Sequence, residues 1–293
     1  MQIQKNKNVR WIDVARPKDS DLASLKKMFG LHPLIVEELR EPSARARVES
    51  TKDYLYFIYY FPLYDTKDEA SVRSEIDIIV SKDAVATVHY EPLENVLGNF
   101  AVGDIKTSLE LLCRIVEHLL IFEERQLRHI REKVECIGRD VFKSQERGVL
   151  ERIMSLKRDI LEYRISVRLQ EPVLKSLLAK GVQFWDSDAE VYLSELIGEQ
   201  TKVISQIQDY RETIADFEET NNQLMNLKIN ETIKRLTVIS FIAFPAILFE
   251  QLFMMNVKNT PLAGIPYSFW IVVAIMVTLT AGLFIVFKKK NLL

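Results

Sequence analysis

The stretch that decides the fold is residues 236–255, LTVISFIAFPAILFEQLFMM. These residues are mostly apolar, and as a helix rising 1.5 Å per residue they extend roughly 30 Å, which matches the hydrocarbon core of a membrane. A second apolar run at 269–287, FWIVVAIMVTLTAGLFIVF, contains no charged residue. The sequence therefore predicts two transmembrane helices, with a loop at 256–268 between them and a basic tail at 288–293.

Most of the chain precedes the first span, since residues 1–235 of the 293 lie before it. A segment of this length is enough for soluble domains with their own cores. Basic residues near the spans are concentrated just before the first span and in the C-terminal tail, whereas the loop between the spans contains one, Lys258. The positive-inside rule therefore predicts that both termini are cytoplasmic and that the loop is external. The formal net charge of -2 shows no basic excess, so no nucleic-acid partner is expected.

The N-terminal part alternates between short helical and strand patterns, which predicts a cytoplasmic α/β domain over residues 1–104. Helices are expected just before Gly30 and just after Pro33, because glycine commonly ends a helix and proline commonly occupies its first turn. Strands rich in β-branched and aromatic residues are expected at 11–14, 54–64, 74–81 and 84–89.

Residues 105–235 have the spacing of long amphipathic helices, and we expect these helices to break near Gly148 and Gly181. The last helix begins after a cap at 184–187 and forms a stalk that continues into the first span. The predicted fold class is thus a membrane α+β protein, with a cytoplasmic α/β domain, a long helical stalk and two C-terminal transmembrane helices.

Two series of residues run along this last helix, which we expect to extend from 187 to 256. One series is apolar and is typical of bundle or coiled-coil packing; this apolar seam consists of Leu193, Leu196, Val203, Ile207, Tyr210, Ile214, Phe217 and Leu224. The other series, the polar stripe, consists of Glu195, Lys202, Ser205, Asp209, Glu212, Asp216, Glu219, Gln223, Asn226 and Asn230. In the stalk, solvation of the back of a coiled coil also explains such a series.

The polar stripe continues into the first span at the same spacing. Its further members are Ile233, Thr237, Ser240, Phe244, Ile247 and Gln251, with Leu236 beside them. Because lipid excludes exposed polar groups, this face should contact protein or water. One helix cannot enclose a channel, so several copies would have to surround an axis, with Asn230 and these residues lining a pore. Its apolar members, and Leu236, are candidate constrictions.

Five motifs occur in a specific order along the chain. They are Trp11-Ile-Asp13, Gly30-Leu-His-Pro-Leu-Ile-Val-Glu-Glu-Leu39, Asn230-Glu-Thr-Ile-Lys-Arg-Leu-Thr237, Pro245 within the first span, and the basic tail from Lys288 to Leu293. Together they resemble the CorA family of two-span divalent-cation channels, and the resemblance covers nearly the whole chain. The family's Gly-Met-Asn signature corresponds to Met254-Met255-Asn256, and the glutamate that usually follows in the family's loop is absent.

The resemblance implies a homopentamer in the cell membrane, with five first spans around the pore and a funnel of cytoplasmic domains. It implies that Met254, Met255 and Asn256 form the selectivity filter and that Mg²⁺ passes along its electrochemical gradient, with Co²⁺ and Ni²⁺ as further candidate ions. Amide and carbonyl oxygens suit Mg²⁺, because this ion dehydrates reluctantly and can be recognised through its water shell. Asn256 is also a common type of residue at a helix C-terminus, which is the structural alternative.

The resemblance further implies a regulatory Mg²⁺ site between subunits, in which Glu38 and Glu195 are the acidic ligands. Carboxylates are suitable ligands for this ion, although each residue is also explained as a solvated surface glutamate. Glu250 lies about a quarter-turn from the polar stripe, where it either pairs with a neighbouring helix or attracts cations.

No phosphate-binding loop, metal-ligand spacing of His and Cys, or nucleophile motif occurs, so an enzyme is not expected. Met254 replaces the family's glycine, and Lys258 adds positive charge near the predicted entrance. These two departures leave two alternatives open: a zinc-transporting relative, and a non-conducting membrane-tethered oligomeric sensor or scaffold.

Overall fold

The computed structural model describes residues 1–5, 8–43, 45–65, 70–91, 93–98, 100–143, 146–254 and 267–290. The chain divides into two compact units, Met1–Glu218 and Glu219–Leu293. The first unit contains a β-sheet, the helices packed on it and the first part of a long helix, and the second contains the remainder of that helix and a further apolar helix.

The elements follow the order that the sequence predicts. The strands are β1 (Gln2–Lys5), β2 (Arg10–Ala15), β3 (Val48–Ser50), β4 (Leu55–Asp65), β5 (Ala70–Val80) and β6 (Ala84–His89). The helices are α1 (Asp19–Phe29), α2 (Pro33–Glu38), α3 (Glu94–Leu97), α4 (Ser108–Asp140), α5 (Glu146–Arg168), α6 (Gln170–Trp185), α7 (Asp188–Met254) and α8 (Ser268–Lys289). Gly30, with a φ of 68°, ends α1 in the left-handed conformation, and Pro33 occupies the first position of α2, as predicted.

The strands form one sheet in the order β1-β2-β6-β5-β4-β3. The β2–β6 pair is parallel, and the other neighbouring pairs are antiparallel. The sequence reading missed β1 and β3, which lie at the two edges of the sheet. Both are short, and their mainly polar residues lack the alternation that marks a half-buried strand, which is common for edge strands.

Strand β4 is buried on both faces, because successive side chains of a strand point to opposite sides. One face joins a core with α4, α6 and the start of α7, and it consists of Leu55, Phe57, Tyr59 and Phe61. The other face joins a core with α1 and α2, and it consists of Tyr56, Ile58 and Tyr60. The first unit is therefore a three-layer arrangement with the sheet in the middle.

The helices break close to the predicted positions, near Gly148 and within 184–187, but not at the two glycines themselves. Gly148 lies inside α5 and Gly181 inside α6, whereas the chain turns through a short 3₁₀ segment at Val141–Lys143 and at Asp186, which has a φ of 73°. Gly181 instead serves packing, since a Cβ there would lie 2.7 Å from Leu193 Cδ1 of α7. Its missing side chain allows α6 and α7 to approach closely.

Helix α7 is continuous over 67 residues and contains Pro245, which confirms the single long helix that the sequence predicts. Among the described residues, Phe269–Lys289 is the segment long and apolar enough to cross a membrane, with a mean hydropathy of 2.6. The predicted first span ends at Met255, outside the described residues. That the chain has two transmembrane helices therefore stays a prediction.

One buried carboxylate, Asp159 of α5, ties the sheet to two helices. His129 Nε2 and Lys133 Nζ of α4 lie 3.0 and 3.1 Å from Asp159 Oδ2, and the backbone N–H of Ser71 in β5 donates to Oδ1 at 2.8 Å. Burial by itself would raise the pKa of Asp159, but the hydrogen bonds from His129 and Ser71 and the charge of His129 outweigh it and lower the pKa to about 2.

We expect Asp159→Asn to lower the free energy of unfolding by about 1–3 kcal/mol at pH 7, because the charged hydrogen bonds to His129 and Lys133 are lost. In the natural chain the folded pKa lies below the usual value of about 3.9, so the contribution of Asp159 is present at neutral pH and disappears as the pH falls towards 2. Denaturation of the full chain in detergent, followed by circular dichroism between pH 7 and pH 2, measures both effects.

The matched control is Asp83→Asn, because Asp83 also forms an ion pair but its side chain is 63% exposed. This change should cost less than about 1 kcal/mol. Equal losses for the two variants would contradict the assignment of Asp159 as the link between the layers.

Candidate ion pathway and metal-binding residues

Most of the apolar seam of α7 is buried, as the sequence predicts, and its other members, Tyr210, Phe217 and Leu224, are partly buried. Val203, Ile207 and Ile214 are at most 5% exposed, and Leu193 and Leu196 pack in the core beside the sheet. Near the end of the first unit, Gly138 of α4 lies against Phe217, whose ring carbon Cζ would be 2.8 Å from a Cβ at that position. The seam thus fixes the first part of α7 against its own chain.

The polar stripe is exposed along α7. Its stalk members, from Glu195 to Asn230, are all exposed. So are the predicted pore-lining residues that follow them along the same helix; these are Ile233, Leu236, Thr237, Ser240, Phe244, Ile247 and Gln251. Ile233, Leu236 and Phe244 have exposed fractions of 54%, 60% and 62%, which are unusual for large apolar side chains. The polar stripe is therefore one continuous face that this chain leaves free.

Helix α8 lies on the other side of α7. A groove beside α8 is lined by Ile242 of α7 and by Met276, Val277, Thr280, Ala281, Phe284 and Ile285 of α8. At about 100° per residue, Ile242 and the buried Val238 lie roughly 140–180° around the helix from the centre of the polar stripe. The groove thus places α8 beside Ile242, away from the stripe, although Ile239 and Phe241 of this part of α7 are exposed as well.

A hydroxyl group on the polar stripe forms a hydrogen bond within its own helix, which makes it compatible with an apolar environment. Thr237 Oγ1 donates to the carbonyl oxygen of Ile233 at 2.8 Å, within the same helix. Such a bond satisfies the hydroxyl donor without a second chain, and it leaves the oxygen able to accept from water. The stripe can therefore combine apolar and water-binding positions in one lining.

The predicted selectivity filter lies at the end of α7. Met254 is the last residue of the helix, whereas Met255, Asn256 and Lys258 lie outside the described residues. Glu250 and Gln251 are exposed, one turn before this end. The filter assignment therefore stays a prediction.

Glu38, one of the two predicted metal ligands, is the last residue of α2. Its Oε1 accepts a hydrogen bond from Ser43 Oγ at 3.0 Å, and its Oε2 pairs with the guanidinium of Arg47. The side chain is only 17% exposed. Both carboxylate oxygens of Glu38 are thus already held by the chain itself, which does not fit a free metal ligand.

Glu195, the other predicted ligand, is exposed on α7 and belongs to the open stripe. Within the described part of the chain, no three His, Cys, Asp or Glu side chains are grouped so that they could hold a metal ion. The resemblance assigns Glu38 and Glu195 to different subunits, so their pairing stays a prediction.

The sequence reading missed the polar groups behind Glu38. Asp77 of β5 accepts hydrogen bonds from Tyr56 Oη at 3.1 Å and Tyr90 Oη at 2.7 Å. Burial, followed by the nearby charge of Glu75, raises the pKa of Asp77 to about 8, and burial also raises the pKa of Glu75. The sequence did offer a signal for these groups, because Glu75 and Asp77 are carboxylates at alternate positions of an otherwise apolar strand segment.

The comparisons with known proteins agree with this geometry. The model of the family "CorA-like Mg2+ transporter protein" matches residues 6–289. The cobalt/magnesium transport protein CorA of Methanocaldococcus jannaschii is 22% identical, over 96% of this chain and 90% of that protein. The protein of the same name from Thermotoga maritima is 21% identical, over 96% of this chain and 82% of that protein.

A solved structure shows the same fold. The complete structure of the CorA magnesium transporter from M. jannaschii matches with a TM-score of 0.82 at 22% identity, over 97% of this chain and 92% of that one. The shared architecture includes the N-terminal α/β domain, the long helix and the C-terminal apolar helix. Because the family model extends over almost the whole sequence, this chain belongs to the family of CorA-like Mg²⁺ transporter proteins.

Proposed function

We propose that this protein is a channel that passes divalent cations, Mg²⁺ before Co²⁺ and Ni²⁺, along their electrochemical gradient. The observation that carries the proposal is the polar stripe of α7, which brings Thr237, Ser240 and Gln251 into the predicted first span and is exposed over its whole described length. In a membrane such a face is stable only against protein or water. A water-filled pore that several α7 helices surround meets this requirement.

The resemblance to the family, rather than the single chain, supports the number of subunits that we propose. The stripe requires more than one copy, because one helix cannot enclose a pore. The two M. jannaschii and T. maritima relatives are named as cobalt/magnesium transport proteins, which supports the choice of ion. We take the assembly to be a homopentamer with two spans per subunit and both termini in the cytoplasm.

Within this pore the residues of the polar stripe have different roles. Ile233, Phe244 and Ile247 are apolar and act as constrictions, whereas Thr237 and Ser240 bind water between them. Asn256 rings the outer mouth, where amide oxygens bind the water shell of Mg²⁺ without removing it. Selection through the water shell favours Mg²⁺, which holds its water more tightly than larger divalent ions do.

Zinc transport is the second candidate. It is favoured by Met254, which ends α7 where the family signature has glycine. A side chain at this position changes the approach of backbone groups to the ion, because glycine alone tolerates the closest contacts. The identity of the ion therefore depends on the mouth of the pore rather than on the stripe.

We expect Asn256→Ala to reduce Mg²⁺ entry into liposomes at least about tenfold, because the loss of one amide per subunit removes the hydrogen-bond acceptors for the hydrated ion. The measurement is metal-dependent flux of the purified full chain for Mg²⁺, Co²⁺, Ni²⁺ and Zn²⁺. Asn259→Ala, three positions further along the predicted loop, is the matched control and should keep the natural rate. Zn²⁺ flux above Mg²⁺ flux would favour the second candidate, and no flux of any ion would contradict a channel.

The polar stripe is tested separately by a cysteine at Ser240. After Cys113 and Cys136 are replaced by alanine, a positively charged thiol reagent should block flux through Ser240→Cys by about tenfold or more, because a fixed charge in the pore repels cations. Ile239→Cys is the control, since Ile239 is 57% exposed at the same depth but lies about 120° from the stripe. Equal block of both variants would reject the stripe as the lining.

A further inference from the structure

Helix α5 carries an apolar seam on its exposed side. Met154, Leu161 and Ile165 have exposed fractions of 59%, 49% and 41%, although all three are large apolar side chains. Together with Arg158 they follow the alternating spacing of four and three residues that is typical of helix packing, within an arc of about 60°. The other side of α5 is buried in the first unit, for example at Leu156. The exposed seam therefore has the pattern of a packing surface, and no described residue covers it.

A groove beside this seam, the basic groove, combines apolar and cationic side chains. It has a volume of about 330 Å³ between α5 and the first part of α7, and its lining includes Leu161, Ile214, Lys157, Arg158, Arg164 and Arg211. Lys157 Nζ pairs with Glu218 Oε2 at 2.7 Å. Arg158 and Arg164 have no ion-pair partner among the described residues. The groove thus carries positive charge that the described part of the chain does not neutralise.

The same part of α7 is acidic on its far side. Asp209, Glu212 and Asp216, the acidic turns, are exposed, and none of them forms an ion pair with a described residue. At about 100° per residue, Asp209 and Asp216 lie about 140–160° around the helix from Arg211 of the basic groove. Each copy of the chain therefore has a positive surface on one side of α7 and a negative surface on the other, at the same position along the helix.

This equal position along α7 suits a ring of copies. In the proposed pore, several α7 helices surround an axis that is roughly parallel to them. Rotation about such an axis does not move a copy along it, so each residue meets residues of the next copy at the same position along the axis. Two different surfaces on opposite sides of one chain are also what a head-to-tail contact needs to close into a ring. The basic groove of one copy can thus meet the acidic turns of the next.

We propose that the basic groove is the docking site for a second copy of this chain, which inserts its acidic turns there. The proposal rests on the proposed function, because it takes the channel as a ring of copies around α7. Opposite charges select the partner and fix its register, and Leu161 and Ile214 contribute apolar contact. In the stalk the polar stripe is then covered by protein, whereas in the predicted first span it faces water.

The first test is cross-linking of the full chain in detergent by a short bismaleimide, after Cys113 and Cys136 are replaced by alanine. Leu161→Cys combined with Asp216→Cys should give a series of covalent multimers, because each copy is joined to two neighbours. The matched control combines Leu161→Cys with Glu190→Cys. Glu190 is likewise an exposed acid of α7, but it lies roughly 30 Å along the helix from the groove, so the yield of multimers should be at least about tenfold lower.

Charge reversal tests the electrostatic part of the contact in the first cysteine pair. Arg158→Glu with Arg164→Glu should lower the cross-linking rate about tenfold, because like charges then face each other. Asp209→Lys with Glu212→Lys in the same chain should restore the rate, since the signs are exchanged, and this recovery also shows that the reversed groove folds. Arg114→Glu is the control, because Arg114 is an exposed arginine of α4 outside the groove, and it should leave the rate unchanged.

No multimers from the first cysteine pair, or equal yields from the two pairs, would overturn the proposal. A cross-linking rate that charge reversal leaves unchanged would do the same. Occupation of the groove by an acidic amphiphile instead predicts no multimers and a lipid that stays bound to the chain in native mass spectrometry. The readout needs no transport: absent multimers with intact ion flux overturn this inference alone, and multimers without flux overturn the channel alone.

Discussion

A polar face on a helix that enters a membrane must be covered by protein or water, and α7 is built around this constraint. Its apolar seam is buried against the chain's own helices and sheet, and Ile242 faces the groove beside α8. The polar stripe is exposed over its whole described length, and it continues into the predicted first span with Thr237, Ser240 and Gln251. Both the need for several subunits and the proposal of a pore depend on this distribution of burial around one helix.

The first unit holds the first part of α7 through close packing. Gly181 and Gly138 allow neighbouring helices to approach Leu193 and Phe217, and Asp159 ties the sheet to α4 and α5. A shift of α7 about its own axis would bury polar stripe members and expose the seam. Core packing in the first unit therefore decides which face of the first part of α7 is exposed.

Much of this architecture is predictable from local pattern. Gly30, Pro33 and the aromatic strand residues place α1, α2 and β4, and the 3–4 spacing of Val203, Ile207 and Ile214 predicts the buried seam. The edge strands β1 and β3 were missed, because a few mainly polar residues show no alternation of apolar and polar positions. The helices end near Gly148 and within 184–187 as predicted, but Gly181 lies inside α6, because a glycine can serve helix packing as well as helix ending.

The sequence by itself determined the apolar helix at the C-terminus, the continuous α7 and its two faces, because hydrophobicity and its periodicity are properties of neighbouring residues. The tertiary structure alone decided the parallel pairing of β2 with β6 and the partners of Glu38. In the sequence Glu38 is one more glutamate near a helix end. Its pairing with Arg47 and Ser43, and the burial of Asp77 behind it, arise only when the α2–β3 segment folds back onto the sheet, where distant residues share a low-dielectric environment.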